Sequence, residues 1–150
     1  MIPIVLVHGF MGGSEQWEEQ IKSLSKDFEV VAIDLPGFGK NNHLPVINEI
    51  IGFSDWIIAE LRRRNIKKYH LLGHSMGGMI VQEMVRSDYN NINKLILYGT
   101  GSVGVLPGRF ETIAQSKIRE WLTSLHLQQE TFLTPPFLVN IQWTSCYCTG

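Results

Sequence analysis

The sequence predicts an α/β fold: a mainly parallel sheet of about four strands flanked by helices, followed by a cap-like helix and an irregular tail. Three observations carry that expectation. Continuous apolar runs rich in β-branched residues, Ile4-Val5-Leu6-Val7 first among them, lack polar alternation and read as strands buried on both faces. Segments with helical spacing separate these runs. Short connections join the two kinds of segment, which implies right-handed crossovers and helices on both faces of the sheet.

Taken in order, the first strand stops at His8-Gly9, and the loop Gly9-Phe10-Met11-Gly12-Gly13 follows. Ser14 is the expected N-cap of a helix reaching about Lys26, with Trp17, Ile21 and Leu24 on one face. Residues 28–33 form the second strand. It ends in Asp34-Leu35-Pro36-Gly37-Phe38-Gly39, where the Asp34 carboxylate is expected to fix the turn ahead of Pro36 and Gly37. After a polar loop over 40–46, Phe53, Ile57, Ile58 and Leu61 mark a helix that begins at Asn48 or Ser54 and ends near Asn65. Residues 69–72 are the third strand, 75–86 a helix and 94–98 the fourth strand.

Beyond Tyr98 the rhythm fails. A Gly-rich loop over 99–108 leads to an amphipathic helix marked by Phe110, Ile113, Ala114, Ile118, Trp121, Leu122 and Leu125, and residues 131–150 carry no charged side chain. The 150 residues therefore read as one domain, with a core over 1–100 and a cap-like helix and uncharged tail over 101–150.

Composition narrows the function classes. A formal net charge of -1 gives no field favouring nucleic acid. The one basic cluster, Arg62-Arg63-Arg64 with Lys67-Lys68, falls where a helix should end and reads as a solvated turn that complements the helix dipole. No stretch is long and apolar enough to span a membrane, and Met1-Ile2-Pro3 leads into a strand without a signal-peptide pattern, so a cytoplasmic location is expected. Cys146 and Cys148 form a lone Cys-x-Cys without partner ligands. Gly99-Thr100-Gly101-Ser102-Val103-Gly104 fits a dinucleotide pattern literally but runs into Leu106-Pro107-Gly108 where a helix should open. Neither a cofactor nor a metal ion is expected.

The chemistry concentrates at Leu71-Leu72-Gly73-His74-Ser75-Met76-Gly77-Gly78-Met79, an apolar run that breaks on Gly-x-Ser-x-Gly and continues as a helix. This pattern lifts one hydroxyl onto a sharp strand-to-helix corner. Small residues are needed on both sides of Ser75 because the nucleophile of such an elbow sits in strained backbone with the helix packed close behind it. The helix N-terminus would point N–H groups at an oxyanion forming beside the serine.

With His8-Gly9-Phe10 and Gly12-Gly13 after the first strand, the Asp34 to Gly39 turn after the second and the elbow after the third, the chain resembles the α/β-hydrolase superfamily over residues 3 to about 125. It looks most like the esterase, lactonase and meta-cleavage-product hydrolase branch. The resemblance implies that Ser75 is the nucleophile and that the backbone N–H groups of Phe10 and Met76 form the oxyanion hole. It implies that His8 supports the oxyanion loop and is not the base. A serine at this position argues against the dehalogenase and epoxide-hydrolase branches, which use an aspartate. The carbon–carbon bond hydrolases commonly carry Asn before the serine; His74 stands there here, which favours small esters as substrates.

The family's acid and base follow the nucleophile. After Ser75 the only histidine is His126, which reads as a surface or interface histidine more readily than as the base, and the acids are Glu83, Asp88, Glu111, Glu120 and Glu130. None of these follows a recognisable strand. The chain thus reads as the N-terminal part of a hydrolase, either catalytically impaired or completed by assembly. A homodimer or higher oligomer is expected, through a hydrophobic sheet edge at the fourth strand or through the C-terminal tail.

Overall fold

The computed structural model describes residues 1–101. The helix expected over 110–125, the uncharged tail, both cysteines, His126, Glu111, Glu120 and Glu130 lie outside the described residues. Within them the order is β1 (Ile4–Val7), α1 (Glu18–Leu24), β2 (Val30–Ile33), α2 (Ile50–Arg63), β3 (Tyr69–His74), α3 (Met76–Asp88) and β4 (Ile92–Tyr98). Short 3-10 turns cover Ser14–Trp17, Gly39–Asn41 and Tyr89–Asn91.

The four strands form one parallel sheet in the order β2-β1-β3-β4, as the strand–helix rhythm predicts. The inner strand β1 is wholly buried because both neighbours and both faces cover it. Its alternate residues divide between two cores. Val5 and Val7 join Ile33, Leu71, and the inner faces of α2 and α3, including Ile57, Leu61, Ile80, Val81 and Met84. Ile4 and Leu6 pack with Trp17 and Leu24 on the other side.

The first helix starts differently from the expectation. Ser14 is not a helix N-cap: it opens a 3-10 turn, Gly13 stands at the cap, and α1 begins only at Glu18. The acceptor comes instead from the Asp34 carboxylate at the end of β2, which takes the Ser14 N–H at 2.8 Å. A cap supplied across the sheet replaces the local one, and the first turn tightens to meet it.

The end of α2 follows the sequence closely. Asn65 adopts φ 60°, and the Ile66 N–H closes back onto the Leu61 carbonyl at 2.9 Å, the hydrogen bond of a Schellman stop. The arginines there are more than a solvated turn. Arg63 and Arg64 both pair with Glu60, first through hydrogen bonds from Arg63, which hold the Glu60 carboxyl at about 2. Arg62 crosses to Asp88 at 3.3 Å, where the Tyr69 hydroxyl at 2.6 Å and the Asn91 amide at 2.8 Å also donate to the same carboxylate. Burial and the adjacent Asp88 push the Tyr69 phenol upward, keeping it a donor.

Candidate active site

The C-terminal ends of β1, β2 and β3 lie side by side, with Val7 opposite both Ile33 and Gly73, so the loops that follow them converge. In parallel sheets this is the end where ligands bind. Ser75 sits there between β3 and α3 with φ 53° and ψ −121°. That backbone geometry is strained for any residue with a Cβ, by roughly 1–3 kcal/mol. The surrounding glycines explain how it is held. A Cβ on Gly73 would overlap the Gly77 carbonyl, and one on Gly77 would overlap the carbonyls of Val7 and His8. α3 therefore presses against β1 and β3 as the sequence pattern requires.

The loop after β1 approaches the same corner. A Cβ on Gly9 would lie 3.1 Å from the Ser75 Cβ and 3.4 Å from the His74 carbonyl, a tight fit in which a neighbour would have to give by a few tenths of an ångström. The Gly12 N–H closes a turn onto the Gly9 carbonyl at 3.1 Å. Phe10 and Met11, at the tip of that turn, are 68% and 80% exposed, and the Phe10 ring meets Phe38 edge-on at 5.7 Å.

His8 is fully buried and spends both ring nitrogens on the backbone. Nε2 accepts the Leu35 N–H at 3.0 Å, which requires the proton on Nδ1, where it is donated to the Gly9 carbonyl at 2.7 Å. His8 thereby ties the loop after β1 to the turn after β2, the supporting role expected of it. Asp34 makes a second tie. Burial pushes its carboxyl upward, but the bonds from Ser14 and the Lys40 N–H outweigh that and keep it below the usual carboxylate range. Its backbone carbonyl accepts from the Asn41 amide at 2.6 Å. Asp34 fixes its own turn, as expected, and also fixes the loop of the neighbouring strand.

His74 projects to the face opposite α3. Its ring lies edge-on to Trp17 at 6.3 Å and 5.1 Å from Tyr98, and Nδ1 faces the Gln16 amide at 3.3 Å. Burial pushes its pKa below the ordinary value. Asp88 and Glu83 are not near the corner: Asp88 bonds Tyr69 at the opposite end of β3, about 20 Å along α3 from Ser75, and Glu83 pairs with Arg86. Among the described residues no side chain is hydrogen-bonded to the Ser75 hydroxyl.

Two further contacts at the corner were not foreseen from the sequence. The Thr100 hydroxyl donates to the Ser75 carbonyl at 2.6 Å, and the Gln82 amide donates to the Gly101 carbonyl at 2.8 Å. Thr100 and Gly101 belong to the stretch that fits a dinucleotide pattern literally, and these two residues contact the elbow and α3.

A sequence profile for the alpha/beta hydrolase fold matches residues 2–130. The chain is 37% identical over 78 residues to the (E)-2-((N-methylformamido)methylene)succinate hydrolase of Acinetobacter baylyi, which covers 52% of this chain and 30% of that protein. It is 32% identical over 97 residues to the pimeloyl-[acyl-carrier protein] methyl ester esterase of Pseudoalteromonas atlantica, covering 64% of this chain and 36% of that one. The meta-cleavage product hydrolase of Pseudomonas fluorescens IP01 superposes with a TM-score of 0.60 at 27% identity, over 67% of this chain and 38% of that one. The chain thus spans about a third of the length of these relatives.

Proposed function

The chain belongs to the alpha/beta hydrolase family, and on that premise we propose that it is a serine hydrolase, carboxylesterase-like, that cleaves small esters through an acyl-enzyme at Ser75. The observation that carries this reading is the strained Ser75 corner, with φ 53° at the N-terminus of α3 and Gly9 against its Cβ. Such strain is retained where a backbone position serves chemistry. The Ser75 Oγ attacks the ester carbonyl carbon as its proton passes to a base. The resulting oxyanion is received by the N–H groups of Phe10 and Met76. Met76 opens α3, so its N–H has no acceptor within the helix. Collapse expels the alcohol, and water then releases the acid.

The base is the open position. His8 has committed both nitrogens, His70 lies on the N-terminal half of β3 beside Phe28, His74 faces Gln16 and Trp17, and His43 is exposed on the loop after β2. His126, the fifth histidine of the sequence, lies outside the described residues and is a weak candidate, from its own chain or from a partner's. A second reading is a catalytically impaired or inactive hydrolase that keeps the elbow and a ligand pocket. The names of similar proteins include a methyl ester esterase, a meta-cleavage product hydrolase and an N-acyl homoserine lactonase, so a lactone or a carbon–carbon bond is the alternative substrate.

Hydrolysis of a short p-nitrophenyl ester separates these readings. Turnover that disappears in Ser75→Ala is expected; equal turnover in both proteins would overturn the nucleophile assignment. We also propose a homodimer or higher oligomer, because β4 pairs only with β3 among the described residues. Sedimentation velocity at micromolar concentration checks this, and a single monomeric species would end it. Among the described residues no helix is long and apolar enough to cross a membrane, and a cytoplasmic location remains part of the same proposal.

A further inference from the structure

The chain leaves β4 through Gly99, whose φ of 52° turns the backbone towards the start of α3. Thr100 then lands on the elbow. Its Oγ1 lies 2.6 Å from the Ser75 carbonyl and 3.2 Å from the Gly101 carbonyl. One proton serves both, and the shorter contact takes it. The Thr100 side chain also fills the space above Gly78, where a Cβ would collide with it. Gln82, 3% exposed, anchors the following residue through the Gly101 carbonyl. On the other side of the serine, the Ser75 N–H donates to the Tyr98 carbonyl at 3.1 Å. Residues 98 and 100 therefore hold the peptides on both sides of Ser75.

The Ser75 carbonyl and the Met76 N–H are opposite ends of one planar trans peptide. That plate turns as a unit, so a bond that fixes the carbonyl also fixes the direction of the N–H. We propose that Thr100 is a positioning residue for the oxyanion hole: its hydroxyl holds the Ser75 carbonyl down and thereby aims the Met76 N–H at the developing charge. The inference rests on the serine hydrolase reading and adds a residue to it. Thr100 touches no reacting atom. Its hydroxyl adds to the Gly78 N–H, which reaches the same carbonyl at 2.9 Å from within the helix, and to the longer contact from the Met79 N–H at 3.4 Å. Both helix contacts approach from α3, so without the shorter bond from Thr100 the plate can rock, and small misalignments at a reacting centre are costly to rate.

The test compares Thr100→Val, which keeps the shape over Gly78 and loses the hydroxyl, with Thr100→Ser, which keeps the hydroxyl. Both are made in the 150-residue chain. The rate of Ser75 modification by a fluorophosphonate is expected to fall about tenfold in Thr100→Val, less than the loss of a whole donor. Thr100→Ser should react at the wild-type rate. In amide-proton–nitrogen correlation spectra the Met76 signal should move in Thr100→Val and stay in Thr100→Ser. A Thr100→Val protein that reacts as wild type, or a Thr100→Ser protein as slow as Thr100→Val, overturns the proposal. The two layers fail separately: an unlabelled wild type overturns the nucleophile reading, whereas an unmoved Met76 amide in Thr100→Val overturns this one.

Discussion

Gly77→Ala is expected to lower folding stability by about 3 kcal/mol or more, at the upper end of what one added methyl does to a packed interior. The new Cβ would not meet a flexible side chain. It would meet the carbonyls of Val7, the last residue of β1, and of His8, which follows it. β1 is bonded on both sides, by β2 and by β3, and cannot retreat without breaking a ladder. Gly101→Ala is the matched control, since a Cβ there meets nothing within 4 Å and should change stability by less than about 0.5 kcal/mol. Urea unfolding of the three proteins decides it. A Gly77→Ala midpoint equal to the wild type would mean that α3 does not press on β1 and that the elbow is not assembled as described.

His8→Leu should be nearly as severe, for a polar reason. The imidazole is fully buried and satisfies one donor, the Leu35 N–H, and one acceptor, the Gly9 carbonyl. Leucine fills the volume and leaves both groups orphaned, at roughly 1–3 kcal/mol for each unsatisfied buried group. The expected loss is about 3 kcal/mol in total, with a slower fluorophosphonate reaction because the loop bearing Phe10 has lost its tie. Thermal unfolding and labelling rate together check this. Unchanged stability would show that the loop after β1 is held by other contacts.

The strands were legible because each is a continuous apolar run, and burial on both faces leaves no other reading for Ile4-Val5-Leu6-Val7. The elbow was legible because its glycines are demanded by close approach, which leaves a spacing in the sequence. Bounds shifted where pairing extended a strand: β4 begins at Ile92 because Ile92 pairs with Tyr69 at the start of β3. What local pattern could not supply was contact between distant segments. Ser14 has the chemistry of an N-cap, yet the Asp34 carboxylate, twenty residues away, takes that role. Asp88 stood among the possible acids only by its order in the chain, and the fold puts it at the other end of the sheet. Thr100 carried no signal, because its partner is a backbone carbonyl in another element.

The site follows the same division. Ser75 and its glycines come from one stretch, His8 and the Phe10 loop from a second, and the parallel sheet brings them together. Among residues 1–101 no side chain is hydrogen-bonded to the Ser75 hydroxyl.

Covalent modification of Ser75 tests the account most directly. After reaction of the 150-residue chain with a fluorophosphonate, peptide mapping by mass spectrometry is expected to find one adduct, on the peptide that carries Ser75, and none in Ser75→Ala. An adduct on another residue, or an unmodified Ser75 under conditions that label a known serine esterase, would contradict it.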